Sequence, residues 1–187
     1  MSFIVDLYRF IQYGDLPTSY FVKRGMKVGK NFCRQSGTRL DPSHCWLISI
    51  GDDVTFANKV QVLAHDDSTR IYTGYGRVGK VVIGDRVFVG ANSTILMNTR
   101  IGNDVIIAAG SVVTKNIPDN SVVAGVPARV IGKTSEYIER EKSLIQIYPT
   151  FSIEYAHGHE NTKEQKQEMI DKLGSSFGFQ QLGFFRD

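Results

Sequence analysis

The chain has 187 residues, 42% of them hydrophobic and 22% charged, with a formal net charge of +3. That length holds one domain with a buried core and short extensions, and it excludes two full domains. The longest apolar run, Val105 to Ala109, excludes a membrane-spanning helix of ~20 residues, and the scattered lysines and arginines exclude a nucleic-acid footprint while leaving room for an anionic small molecule.

The N-terminus lacks a basic stretch and carries Asp6 where a signal peptide would be continuously apolar, so a cytoplasmic location is expected. Phe3, Ile4, Leu7, Phe10 and Ile11 share one helical face, which predicts a helical cap within residues 1–27 that closes the core or touches a membrane surface. Cys33 and Cys45 lack CxxC spacing and are expected as free, buried thiols.

From Val28 the pattern changes. A less regular coil passes through Leu40-Asp-Pro-Ser-His-Cys-Trp46, and a six-residue repeat then begins: Ile50-Gly-Asp-Asp-Val-Thr, Phe56-Ala-Asn-Lys-Val-Gln, Val62-Leu-Ala-His-Asp-Asp. After a break it resumes with Ile83-Gly-Asp-Arg-Val-Phe and runs through Val89, Ile95, Ile101, Ile107 and Val113, a large apolar residue opening every hexad. The match of Ile83-Gly-Asp-Arg-Val to Ile101-Gly-Asn-Asp-Val, 18 residues on, makes three hexads one turn of a prism. Position 1 points inward, a small or β-branched residue four places on also fits inside, and polar pairs such as Asp52-Asp53 turn the corners. Recurrent Gly and Asn and the β-branched apolar positions oppose a helical reading. The fold class expected for residues 28–132 is therefore all-β, a parallel β-helix of about five stacked coils, with short helical extensions at both ends.

The break in register is the place for chemistry. The next inward residue is due at position 68 and arrives at Ile83, so a fifteen-residue loop, 68–82, leaves the prism there. It contains Thr73-Gly-Tyr-Gly-Arg-Val-Gly-Lys80 and departs three residues after His65, which the hexad frame puts at a corner with its ring outward. A histidine there is either a plain surface residue or one that titrates in a cleft near neutral pH. Beyond Gly132, residues 133–187 read as an extension with helices at Ser135–Ile147 and Thr162–Leu173, separated by Pro149 and His157-Gly-His159. The Phe177 to Phe185 end reads as loosely ordered or packed on a neighbour.

The segment from Ile50 to Ile131 resembles the hexapeptide-repeat acyltransferases, in particular the maltose, galactoside and xenobiotic O-acetyltransferase branch and its relatives that decorate capsules and lipopolysaccharide. The resemblance rests on the Ile-Gly-Asp-x-Val hexads, His65, Ala109-Gly-Ser-Val-Val-Thr-Lys115, Ile117-Pro118 and Val123-Ala-Gly-Val-Pro-Ala-Arg-Val-Ile131. It implies a left-handed coil, a homotrimer with active sites between subunits, acetyl-CoA as donor, and no metal. The handedness comes from the resemblance alone, since ordinary crossovers between parallel strands are right-handed. It further implies that His65 is the general base on an acceptor hydroxyl. Ala91, Ala109 and Gly110 stand at the family's small positions along the pantetheine arm, or are simply tight turns; Lys115 and Arg129 stand near the nucleotide, or are surface charge.

On the acceptor side, Asp66 or Asp67 is expected to orient the His65 ring. Asn58, His44 and Trp46 lie on preceding coils within reach of a carbohydrate, with Trp46 otherwise packed against the column, and Tyr72 and Tyr75 either stack on a sugar ring or anchor the loop. The function implied is transfer of acetyl from acetyl-CoA to a sugar hydroxyl, on a bacterial surface polysaccharide or its precursor. A sugar N-acetyltransferase, an antibiotic O-acetyltransferase and a β-helix scaffold are the alternatives. A zinc site of three converging histidines finds only His44 and His65 on the coils.

Overall fold

The computed structural model describes residues 14–156 and 160–183, and these divide into two compact units with a boundary at Thr134/Ser135. The amphipathic face from Phe3 to Ile11, the His157-Gly-His159 stretch and Phe184 and Phe185 lie outside the described residues.

The first unit opens with α1 (Thr18–Lys23), which buries Phe21, and continues as short strands separated by corners. In chain order these are β1 (Lys27–Val28), β2 (Cys33–Arg34) and β3 (Arg39–Leu40), then, after a 3-10 turn at Cys45–Leu47, β4 (Ile48–Ile50), β5 (Thr55–Phe56) and β6 (Gln61–Val62). A hairpin follows, β7 (His65–Asp66) and β8 (Arg77–Val78) flanking α2 (Arg70–Thr73). The repeat resumes with β9 (Val81–Ile83), β10 (Phe88–Val89) and β11 (Thr94–Ile95), then β12 (Thr99–Ile101), β13 (Ile106–Ile107) and β14 (Val112–Val113). It closes with β15 (Val122–Gly125) and β16 (Ala128–Gly132).

Every third strand joins the same sheet. The orders are β1-β4-β9-β12 on one face, β2-β5-β10-β13-β15-β16 on the second and β3-β6-β11-β14 on the third. All pairings in these sheets are parallel except the closing β15·β16 hairpin. This is the prism that the hexads predict, a stack of turns around one aliphatic column. Both inward positions of the repeat are buried: Ile50, Phe56, Val62, Ile83, Val89, Ile95, Ile101, Ile107 and Val113 at position 1, and Val54, Val60, Val87, Ser93, Thr99, Val105, Ser111 and Ile117 four places on. The buried hydroxyls are satisfied locally, Ser111 Oγ donating to the Ala108 carbonyl at 2.7 Å and Thr99 Oγ1 to that of Leu96 at 2.7 Å.

The Ile-Gly-Asp corner has a physical explanation that extends beyond turn propensity. Asp52 Oδ1 accepts the N–H of Lys30 at 2.7 Å, Asp85 Oδ1 that of Asp52 at 2.9 Å, Asn103 Oδ1 that of Asp85 at 2.9 Å, and Asp119 Oδ1 that of Asn103 at 2.8 Å. Each turn's corner acid or amide thus replaces the ladder partner that the bent backbone of the preceding turn has lost. The chain must come close for this to happen. A Cβ on Gly84 would lie 2.6 Å from Asn103 Oδ1 and 2.7 Å from the Gly102 carbonyl, which leaves space for glycine alone. The sequence offset between partners is 33 residues from Asp52 to Asp85 and 18 from Asp85 to Asn103, so the fifteen-residue insertion is absorbed without disturbing the ladder.

The second unit contains α3 (Thr134–Ile145), β17 (Thr150–Phe151), α4 (Lys163–Leu173) and β18 (Phe179–Gln180). Both predicted helices form, α4 behind a capping box in which Thr162 and Gln165 satisfy each other's backbone N–H. The first part of the Phe177 to Phe185 end is ordered within the chain: Phe179 pairs in parallel with Thr150, and Phe177 stacks on Tyr148 with ring centroids 4.3 Å apart. Gly178 permits this, because a Cβ there would sit 2.7 Å from the Pro149 carbonyl. Among the described residues no helix is long and apolar enough to cross a membrane.

Candidate active site

β3 and β6 are neighbours on the third sheet, with Leu40 opposite Val62, so the residues that follow them turn the same corner one above the other. Asp41 and His65 come together there. His65 Nδ1 lies 2.5 Å from Asp41 Oδ2, and the carboxylate is wholly buried while the imidazole is 30% exposed. Asp41 is also the turn-former of its own loop: Oδ1 accepts the N–H of Ser43 at 2.9 Å and of His44 at 3.0 Å, and Oδ2 that of Ala64 at 2.9 Å.

These contacts set the charge states. Burial works against an ionised Asp41, but the hydrogen bond from His65 and those from Ala64 and His44 outweigh it and hold the carboxyl below the usual carboxylate range. The Asp41 hydrogen bond raises His65 above the ordinary histidine value against the opposing effect of partial burial, and the charges of Asp41, Asp67 and Asp66 add to the rise. With Asp41 ionised, the shared proton belongs on Nδ1 and the lone pair on Nε2.

Two expectations are corrected here. The carboxylate that orients His65 is Asp41, not Asp66 or Asp67. Asp66 is engaged elsewhere, accepting the N–H of Ser68 and pairing with Arg77, and these pull its carboxyl down to about 2. The signal for Asp41 was present in the Asp-Pro dipeptide, a turn initiator at the same point of the hexad frame as Leu63, one turn earlier. Trp46 is not packed against the column; it is 50% exposed and lies against His44 with ring centroids 5.3 Å apart.

The inserted loop also begins earlier than the register break implies. His65 itself pairs with Val78 in the antiparallel hairpin, so the catalytic candidate forms the root of the loop. Gly79 rejoins the prism by donating to the Ala64 carbonyl at 2.9 Å. At the tip, Tyr72 and Tyr75 are 83% and 79% exposed, so neither anchors the loop.

The remaining predicted residues fall on other parts of the prism. Asn58, Ala91, Ala109 and Gly110 stack at the corner between the second and third sheets, where Asn92 N–H donates to the Asn58 carbonyl and Gly110 N–H to that of Ala91. Within one chain they are thus one sheet away from His65. Lys115 follows β14 and turns the same corner as His65, two turns further up, which at the usual strand spacing is about 10 Å along the stack. Arg129 lies on β16, and its Nη1 donates to the neighbouring Ala128 carbonyl.

Asp41, His44 and His65 also form the one cluster among the described residues whose donor atoms converge as a metal site would require, all within 4.8 Å. The geometry favours hydrogen bonding. Both Asp41 oxygens already accept two N–H groups each, and two ligands of a zinc ion with ~2.0 Å bonds stand well beyond the 2.5 Å that separates Asp41 Oδ2 from His65 Nδ1.

Comparison with known proteins places this fold. The family profile described as the hexapeptide repeat of succinyl-transferase matches residues 80–115. YvoF, a candidate acetyltransferase of Bacillus subtilis (strain 168), is 38% identical over 117 residues, covering 63% of this chain and 66% of that protein. A 2,3,4,5-tetrahydropyridine-2,6-dicarboxylate N-acetyltransferase of Staphylococcus aureus (strain JH9) is 45% identical over 65 residues, 35% of this chain and 27% of that enzyme. The chain therefore spans about two thirds of the first relative's length and about a quarter of the second's. Among solved structures, a maltose O-acetyltransferase from Clostridium difficile 630 superposes with a TM-score of 0.51 at 28% identity, covering 67% of this chain and 81% of that one. A repeat of inward aliphatic residues, three parallel sheets and these likenesses define a hexapeptide-repeat protein. The chain shares its repeat and its fold with the hexapeptide-repeat acyltransferases.

Proposed function

We propose that this chain is an acetyl-CoA-dependent O-acetyltransferase acting on a sugar hydroxyl, with the stack read as a left-handed coil of about five turns and the active enzyme as a homotrimer. The observation that carries the reading is the buried Asp41 fixing His65 with Nε2 free on a partly exposed ring. An unassisted sugar hydroxyl is a poor nucleophile, and a neutral imidazole within ~3 Å can accept its proton as attack proceeds. Acetyl-CoA supplies the activated acyl group as a thioester. His65 Nε2 takes the proton from the acceptor oxygen, and the same proton is available to the departing thiolate sulfur, so the base is regenerated in each cycle. Asp41 holds the ring's orientation and stabilises the imidazolium between the two transfers, a positioning role.

The chain's surface is compatible with such a donor. Gly110 has φ 71° and nothing within 4 Å of where a Cβ would stand, and Ala109 beside it is exposed, so this corner is open to a narrow ligand arm. Its tight-turn and donor-binding readings are thus compatible, because the glycine conformation itself makes the opening. Lys115 adds a positive charge on the His65 corner for a phosphate. Ala91, Ala109 and Gly110 lie one sheet away from His65 on the same chain, an arrangement in keeping with a donor groove that a second copy completes. The C. difficile maltose O-acetyltransferase and YvoF support acetyl transfer; the S. aureus relative is named for an amine acceptor.

The test is acetyl transfer from labelled acetyl-CoA to a glycan library, with products read by mass spectrometry. Ester products, and a fall in turnover of ~10² to 10⁴ for His65→Ala, are expected. Amide products would move the acceptor to an amine. Absence of any product, or full turnover by the variant, would favour a scaffold.

A further inference from the structure

A second imidazole stands beside His65 with no part in the proton transfers described above. The His44 ring centroid is 5.0 Å from that of His65 and 5.3 Å from that of Trp46, so three rings form a row that runs from the base to a half-exposed indole. The row is fixed at its root. The backbone N–H of His44 donates to Asp41 Oδ1 at 3.0 Å, and the other oxygen of that carboxylate holds His65.

The two nitrogens of His44 are not equivalent. Nδ1 is buried and has no hydrogen-bond partner, whereas the ring as a whole is only partly buried. A buried N–H with no acceptor is the rarer of the two orphan states, and an acceptor left under-satisfied is the more readily tolerated. In the neutral ring the bare lone pair therefore belongs on Nδ1 and the proton on Nε2. Nε2 is not buried without a partner, so its N–H faces solvent, on a ring whose centroid stands 5.0 Å from that of His65. One imidazole accepts and its neighbour donates.

We propose, on the basis of the acetyl-transfer reading, that His44 and Trp46 position the acceptor and restrict it to a ring that carries two adjacent hydroxyls. The hydroxyl that reacts gives its proton to His65 Nε2, the oxygen on the neighbouring carbon accepts the Nε2–H of His44, and the apolar face of the sugar ring covers the exposed indole of Trp46. Two donor–acceptor distances of ~2.8–3.0 Å from rings 5.0 Å apart suit oxygens on neighbouring carbons, where an isolated alcohol engages only one of the two imidazoles. An aromatic residue with one exposed face beside polar groups suits a ligand that is apolar on one side and hydroxylated at its edge.

The first test needs no acceptor. Side-chain ¹⁵N NMR of the full chain at neutral pH should find His44 in the Nε2–H tautomer; a protonated Nδ1, or stoichiometric zinc in the purified protein, overturns the proposal. The second uses the acceptor found by transfer to the glycan library, alongside its analogue deoxygenated next to the acetylated position. His44→Gln should raise KM for the parent acceptor about tenfold, the loss expected for one hydrogen bond, with KM for acetyl-CoA unmoved. The deoxy analogue should cost the parent protein a similar factor and cost His44→Gln nothing further. Trp46→Leu should raise acceptor KM without moving the pH profile. If the parent protein acetylates no glycan, the acetyl-transfer reading is what fails. If it does so and the deoxy analogue and His44→Gln penalties simply multiply, or His44→Gln has no penalty, the proposal here fails on its own.

Discussion

Asp41 and His65 are 24 residues apart in sequence and 2.5 Å apart in space, a buried carboxylate and a partly exposed imidazole at one corner of two successive turns. His65 is raised above 6.5 chiefly by the Asp41 hydrogen bond, so its base form is lost as pH falls through a value above 6.5. The kcat/KM for acetyl transfer should therefore rise across an acid limb whose midpoint lies above 6.5. Asp41→Asn keeps an oxygen for Nδ1 but removes the charge, and its limb should move to lower pH with a lower plateau. A limb that stays in place in the variant would remove Asp41 from the mechanism.

The same pair controls stability in a pH-dependent way. The raised His65 contributes fully below 6.5 and its contribution is lost as pH rises through the folded-state value; the lowered Asp41 contributes above 3.8 and its contribution is lost as pH falls through its own. The pair should thus stabilise most between these two ordinary values. Asp41→Ala also strands the N–H groups of Ser43, His44 and Ala64, so a loss on the order of 3 kcal/mol is expected in urea unfolding. His65→Ala should cost less and should flatten the profile above pH 6.5.

The glycines of the repeat give a sharper test of the stack itself. Gly84→Ala would drive a methyl group into Asn103 Oδ1 and the Gly102 carbonyl, and about 1–3 kcal/mol of destabilisation is expected. Gly132→Ala is the control, since nothing lies within 4 Å of its Cβ position, and it should fall within about 0.5 kcal/mol of the parent. Equal effects from the two would mean that the corners are not in close contact.

Legibility in the sequence followed periodicity. The inward residues from Ile50 to Val113 repeat at a fixed interval, and each is buried, because a stacked prism forces the same environment on every sixth residue. His65 was legible from the break in that period. Asp41 was marked in the sequence only as a turn, by Asp-Pro; its partnership with His65 comes from stacking of an irregular turn on the repeat, a contact that no spacing within one hexad encodes. The packed alternative for Trp46 fails for the same reason: the 3-10 turn at Cys45–Leu47 takes it out of the hexad frame, which buries Cys45 and exposes the indole. The ladder of corner acids was visible as Asp and Asn in the sequence, while its function as a substitute for lost backbone partners emerged only from the paired turns.

Alternation along adjacent strands gives the last prediction. Thr55 pairs with Phe88 and Phe56 with Val89, so two phenylalanines on neighbouring strands point to opposite faces of the same sheet. Phe56 is fully buried and meets Phe32 edge to face at 5.1 Å, whereas Phe88 is 44% exposed. Phe56→Ala opens a cavity in the column and should cost about 3–5 kcal/mol in unfolding experiments at any protein concentration. Phe88→Ala removes no core contact and should leave a dilute, dissociated chain almost unaffected. If the chain assembles as the proposed homotrimer with this face covered, the loss from Phe88→Ala should instead grow with protein concentration, because stability is then linked to association. Unfolding both variants across a hundredfold concentration range separates the two positions: a Phe56→Ala penalty below about 1 kcal/mol would overturn the inward assignment of the second strand in each turn.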